Sequence, residues 1–217
     1  MDITYLGHSS FKIKTKTATI VTDPFDPDMV GLKYLGVEGD IVTVSHDHKD
    51  HNKAELVKGV KKVISGPGEY EVMDVSIIGI PSYHDDVNGT LRGKNTIYVI
   101  EAEELTLVHL GDLGHDLSEK QLEELGDVDV LMIPVGGEYT IGSTDAVKIV
   151  QNIEPNFVIP MHYREEGLNP ELFNKLAPVE TFLTEVGMTH ELLPKFTIKK
   201  EDITEEQNSK VIVLERK

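Results

Sequence analysis

Ser45-His46-Asp47-His48-Lys49-Asp50-His51 follows directly on the apolar run Ile41-Val42-Thr43-Val44. Three histidines and two aspartates within seven residues constrain the fold more than any other feature of the chain. Polar groups this dense cannot be packed away unpaired, because each one costs on the order of 1–3 kcal/mol without a partner. The fold has to gather partners around them.

In an extended chain His46 and His48 point to the same side, since side-chain direction repeats every two residues. Asp50 and His51 follow where the chain turns into a helix predicted over 53–58. The pattern therefore suits two adjacent cations, with half of the motif for each. Further ligands belong at strand ends, where loops converge. His84 follows the run 75–80, Asp112 follows 105–110 and His162 follows 157–160. A lone histidine is ordinarily a surface or hydrogen-bonded core residue, and His109 and His190 fit that description. The cluster, with partners at later strand ends, does not.

There are no cysteines, so disulfides, thiolate ligands and cysteine nucleophiles are excluded together. A cation here is held by nitrogen and oxygen, which suits two zinc ions, with manganese or iron as alternatives. Two neighbouring ions lower the pKa of a shared water toward neutrality, so that no serine or cysteine nucleophile is needed.

Short β-rich runs dominate. Strands are predicted over 3–6, 11–14, 19–22, 41–44, 62–65, 75–80, 96–101, 105–110, 128–134 and 157–160, with a final one over 211–214 that closes a sheet edge or pairs with another subunit. Helical patterns cover 53–58, 118–125, 143–152 and 169–176. Ser118 is placed as an N-cap, and Pro170 as a first helical residue. So many strands, several joined by tight turns, argue for packed sheets with helices outside. "ATIVTD", ending at Asp23, and "LTLVHLGD", ending at Asp112, hint at two similar halves. The charged stretch 199–210 is expected to be an exposed loop. With 217 residues and no second composition regime, 1–217 is one domain.

The formal net charge of −17 disfavours binding to phosphate backbones, so no nucleic-acid partner is expected. No apolar run approaches the roughly 18 residues of a membrane span, and the first residues lack a secretory pattern. The expectation is a cytoplasmic protein with a small-molecule substrate, no membrane partner, and homo-oligomerisation left open.

Nearly the whole chain resembles the metallo-β-lactamase-fold hydrolases. The residues that carry the likeness are Asp23 in "VTDPF", the "HDHKDH" run, His84, Asp112 in "HLGDLGH" and His162 in "PMHY". "LGHSSF", "PVGGEYTIG" and "IPMHY" look like the small Zn-dependent hydrolase branch that includes the L-ascorbate-6-phosphate lactonases. The resemblance implies an α/β fold, a four-layer αβ/βα sandwich. It further implies that His46, His48 and His84 hold one ion and Asp50, His51 and His162 the other, with Asp112 between them and Asp23 orienting a ligand. His8 and His115 fall in family-like motifs, His8 beside the ligands and His115 as a candidate acid, while Asp50 is the candidate for handling the water proton.

Gly137 and Tyr139, in the turn after 128–134, are candidates for substrate contact. Arg92, Lys94 and Arg164 are positive charges near the proposed mouth, available for a phosphate or carboxylate. The implied activity is hydrolysis of a small ester or lactone, including one of a phosphorylated sugar acid. The alternatives are a phosphodiesterase or nuclease of the same fold, and a metal-stabilised binding protein without turnover.

Overall fold

The computed structural model describes residues 1–204 and 209–217; part of the predicted loop 199–210 lies outside them. Strands β1 (Asp2–Gly7), β2 (Ser10–Lys14), β3 (Thr19–Thr22), β4 (Ile41–Val44) and β5 (Lys62–Ser65) lie side by side in chain order. β1 to β3 pair antiparallel, and β3 to β5 parallel. The second sheet contains β6 (Gly68–Val72), β7 (Val75–Tyr83), β8 (Lys94–Ala102), β9 (Leu105–His109), β10 (Val130–Pro134), β11 (Phe157–Met161), β12 (His190–Leu193) and β14 (Lys210–Leu214). Its order is β12-β14-β11-β10-β9-β8-β7-β6, while β13 (Phe196–Thr197) crosses back to pair with β1.

Alternation explains how β3 and β4, in the middle of the first sheet, are buried on both faces. Ile20, Ile41 and Ile64 enter the large core shared with Ile77, Ile97 and Val99 of the second sheet. Their neighbours Val21, Val42 and Val44 point the other way, into a smaller core with Phe25, Tyr34 and Phe173. β10 and β11 are buried at every position, as parallel strands covered on both faces should be. Tyr98 of β8 fastens the sheets together, its hydroxyl donating to the Val44 carbonyl at 2.8 Å.

Helices α1 (Pro27–Val30), α2 (Glu119–Leu125), α3 (Ser143–Ile153), α4 (Pro170–Phe173) and α5 (Val179–Val186) lie outside the sheets. Ser118 caps α2 in a reciprocal box with Gln121. α3 and α5 pack on one another and send Ala146, Ile149, Val150 and Phe182 into the large core. The layers are those of an α/β, αβ/βα sandwich.

Two predicted helices are much shorter than expected. Over 53–58 there is one 3-10 turn, Ala54–Leu56, because Lys58 N–H donates to the Val37 carbonyl and draws the chain out straight. Over 169–176 the helix ends at Phe173, because Ala177 is tied to Gly136 and Arg164. β14 does not close an edge: it sits between β11 and β12.

Candidate metal centre

Both sheets deliver polar residues to one end of the sandwich. β3 runs into Asp23 and β4 into Ser45 and His46, while β7, β9 and β11 lead to His84, Asp112 and His162. Glycine makes this convergence possible. Gly111, at φ +57, leaves no room for a Cβ against Asn95 and Ser45, and Gly136 packs its α-carbon on the His162 carbonyl. Buried Asn95 donates to the Leu110 carbonyl and accepts the Asp112 N–H at 3.0 Å, fixing the loop that carries Asp112.

The side chains form two groups. His46, His48 and His84 bring ligand atoms within 4.8 Å of one another, and so do Asp50, His51, His162 and His8. Asp112 lies between the groups. Its Oδ2 is 3.2 Å from His51 Nε2, 3.2 Å from His162 Nε2, 3.3 Å from His84 Nε2 and 3.9 Å from His46 Nε2. One carboxylate oxygen cannot accept so many in line. His46 Nε2, His51 Nε2, both ring nitrogens of His162 and Asp112 Oδ1 are buried with no hydrogen-bond partner among the described residues. Orphaned donor atoms of this kind fit bound metal cations.

Behind them sits a fully buried carboxylate. Asp23 Oδ2 accepts His51 Nδ1–H at 2.9 Å and also the Ser45 hydroxyl, and Oδ1 accepts Ser45 N–H at 2.8 Å. Ser45 Oγ in turn accepts His46 Nδ1–H at 2.9 Å. Each bond turns the far nitrogen, Nε2, toward the cluster.

Electrostatics agree. Burial pushes His46 well below its ordinary value, keeping it neutral as a ligand must be. Burial alone would raise the Asp112 carboxyl, but His162 and His51 beside it hold it well below the usual range. Burial would likewise lower His51, yet Asp112 and Asp50 raise it well above the usual value. Three buried carboxylates thus require positive charge at this spot.

His8 sits at the tip of the β1–β2 hairpin at φ +58, its backbone held by Glu165 and Tyr5. Its Nε2–H donates to Asp50 Oδ2 at 3.3 Å, and its ring lies 4.2 Å from that of His162. Burial lowers its pKa to about 4, so it is a neutral donor.

Other expected residues fall elsewhere. His115 does not face the cluster: Nε2 accepts the Tyr83 N–H at 3.1 Å and Nδ1 donates to the Asp116 carbonyl at 2.7 Å. With both nitrogens spent on backbone, it has none left for a leaving group. Arg164 turns to the Asn174 carbonyl and, with Gly137, lies outside the cleft beside the donor cluster. Tyr139 does line that cleft, which encloses about 460 Å³. So do Met29, Leu172, Phe173 and Arg92, together with Asp50, His84 and Asp112. Sequence reasoning passed over Ser45 and Asn95; the only signal for Ser45 was its place between a strand and the first histidine.

The profile described as "Beta-lactamase superfamily domain" matches residues 2–162. A UPF0173 metal-dependent hydrolase of Methanopyrus kandleri is 30% identical over 200 residues, 75% of this chain and 84% of that one. Its counterpart in Staphylothermus marinus is 31% identical over 213 residues, 82% of this chain and 92% of that one. A solved structure of a metallo-beta-lactamase superfamily protein from Thermotoga maritima is 36% identical and covers 99% of both chains, with a TM-score of 0.79. The chain belongs to the beta-lactamase superfamily and, within it, to the family of the UPF0173 metal-dependent hydrolases.

Proposed function

We propose that this chain is a cytoplasmic metal-dependent hydrolase, a dinuclear zinc enzyme acting on a small ester or lactone. One observation carries the reading: two groups of donor side chains lie on either side of Asp112, and Nε2 of His46, His51 and His162 is buried there without a partner among the described residues. The names of the relatives in Methanopyrus and Staphylothermus, metal-dependent hydrolases, point the same way.

His46, His48 and His84 would hold one ion, Asp50, His51 and His162 the second, and Asp112 both. Bound there, the ions would acidify a water and polarise the carbonyl under attack. Asp50 lines the cleft and is held from behind by His8, which orients it to receive the water's proton. Overall, water adds across the acyl C–O bond, giving a carboxylate, an alcohol and one released proton. Met29, Leu172 and Phe173 add apolar side chains to the lining of the cleft.

Elemental analysis of protein purified without added metal tests the reading. About two transition-metal ions per chain are expected, with a marked loss in His48→Ala. Lactone and ester turnover should exceed that of bis(p-nitrophenyl) phosphate; the reverse order would favour a phosphodiesterase. A wild type that takes up no metal would refute the reading.

A further inference from the structure

The cleft contains a charge that the hydrolysis above does not use. The chain has three arginines, Arg92, Arg164 and Arg216. Arg216 is bound to Glu165 at 2.9 Å, and Arg164 lies outside the cleft. Arg92 lines it. Its Nη2 donates to the Glu138 carbonyl at 3.1 Å, and its guanidinium lies over the Tyr139 ring, 5.8 Å from the centroid. Neither contact neutralises it, because the Glu138 carboxylate is engaged by Lys175 at 3.3 Å. Asp47, in the same lining, accepts a hydrogen bond from Asn52 at 2.6 Å.

The arginine is also held in place. Buried Asp85 accepts the backbone N–H groups of Val87, Gly89, Leu91 and Arg92 at 2.7–3.0 Å, drawing the loop between β7 and β8 into a knot. An arginine held at its backbone and at one guanidinium nitrogen, with donors to spare, takes a carboxylate or phosphate with little further ordering. The net charge of −17 repels anions at long range, so this local cation is suited to recognition rather than to steering. In the same lining, Met29, Leu172 and Phe173 offer apolar contact.

We infer that the substrate is an ester or lactone bearing a second, anionic oxygen group. That group docks on Arg92 while an apolar segment lies against Met29, Leu172 and Phe173. This rests on the hydrolase reading.

The test uses metal-loaded protein and two readouts. In the first, the 4-nitrophenyl esters of butyric acid and 4-phosphonobutyric acid and the mono-4-nitrophenyl ester of glutaric acid are compared. The expected kcat/KM ratio of anionic to neutral ester is about tenfold or more, falling toward unity in Arg92→Met and in part recovered in Arg92→Lys. In the second, 4-phenylbutyrate, 4-phenylbutyl phosphate and 4-phenylbutanol are titrated calorimetrically, so that binding is measured without turnover. Preference for one anion in both readouts tells carboxylate from phosphate. Turnover of none of the esters, with Arg92-dependent anion binding retained, would sink the hydrolase reading alone. Equal anion-to-neutral ratios in wild type and Arg92→Met, in either readout, would overturn the Arg92 anchor. Should Arg92→Met not fold, Arg92→Gln removes the same charge.

Discussion

The Asp23 carboxylate reaches both donor groups, His51 directly at 2.9 Å and His46 through the Ser45 hydroxyl. One buried acid thus sets the tautomer of an imidazole in each group. Removing such a partner typically costs 10–100-fold in metal affinity, because the ligand loses both its orientation and its basicity.

Ser45→Ala breaks only the branch to His46. Chelator-competition titration is expected to show one of two binding steps weakened by roughly 10–100-fold and the other unmoved. Asp23→Asn, which disturbs both branches, should weaken both steps. Equal weakening of both steps in Ser45→Ala would mean that the serine acts only as packing. Nitrogen-15 spectra of the histidine rings in metal-free protein give a second check. His46 should carry its proton on Nδ1 in the wild type and lose that preference in the variant.

His8→Gln addresses the other side of the centre. His8 donates to Asp50 and packs on His162, so its loss frees the carboxylate that faces the cleft. A fall in kcat of about 10–100-fold is expected, with a smaller change in the metal stoichiometry, since none of the proposed ligands is removed. Unchanged kcat would show that Asp50 needs no such support.

Strand ends were the legible part of this centre. His84, Asp112 and His162 each stand just beyond an apolar run, and an apolar run followed by a polar residue is a local signal. Asp23 is legible by the same rule. The hydrogen bonds among these residues are not local: Ser45 to Asp23 spans 22 positions and His8 to Asp50 spans 42. Nothing in the "GDLGH" run distinguishes a histidine that faces the centre from one whose nitrogens are taken by backbone, as at His115. Among the arginines, the choice between Arg92 and Arg164 depends on loop closure by Asp85, which acts across seven residues. Helices over 53–58 and 169–176 failed for a related reason, since backbone bonds to distant segments outweighed a weak local propensity. α5 lacks an N-cap side chain and begins at Pro178-Val179, so it offered no start signal.

Metal removal should change the pH dependence of stability. In the metal-free protein Asp112 and Asp50 raise His51 well above its ordinary value against the pull of burial. The imidazolium then supplies the positive charge that three carboxylates need. A folded-state pKa above the unfolded one gives stabilisation that is fully present below about 6.5 and lost as pH rises through the raised value. The melting temperature of chelator-treated protein is therefore expected to fall as pH rises above neutrality. Metal-loaded protein should gain, because ligands that need not release protons bind more tightly. The gap between the two melting curves, followed by calorimetry, should widen with pH; a constant gap would show that no proton is exchanged for metal.

The knot at Asp85 makes a claim that needs neither metal nor substrate. Burial would raise this carboxyl, but four backbone N–H groups, from Arg92, Gly89, Leu91 and Val87, lower it from 3.8 to about 2. Because the folded value is depressed, the stabilisation it gives is present above the unperturbed value of 3.8 and lost as pH falls through about 2. Carbon-13 spectra of the aspartate carboxyls should show no midpoint for Asp85 near 3.8 as the pH is lowered to 3. Asp85→Asn keeps a carbonyl acceptor but loses the charge, so the loop should loosen without unfolding the sheets. Amide exchange at Val87, Gly89, Leu91 and Arg92 should then quicken by roughly tenfold, since hydrogen bonds to a charged acceptor are about twice as strong as neutral ones. Protection elsewhere in β7 and β8 should stay as it is. An Asp85 midpoint at the ordinary value, or exchange unchanged in the variant, would mean that the loop around Arg92 is held by something other than this carboxylate.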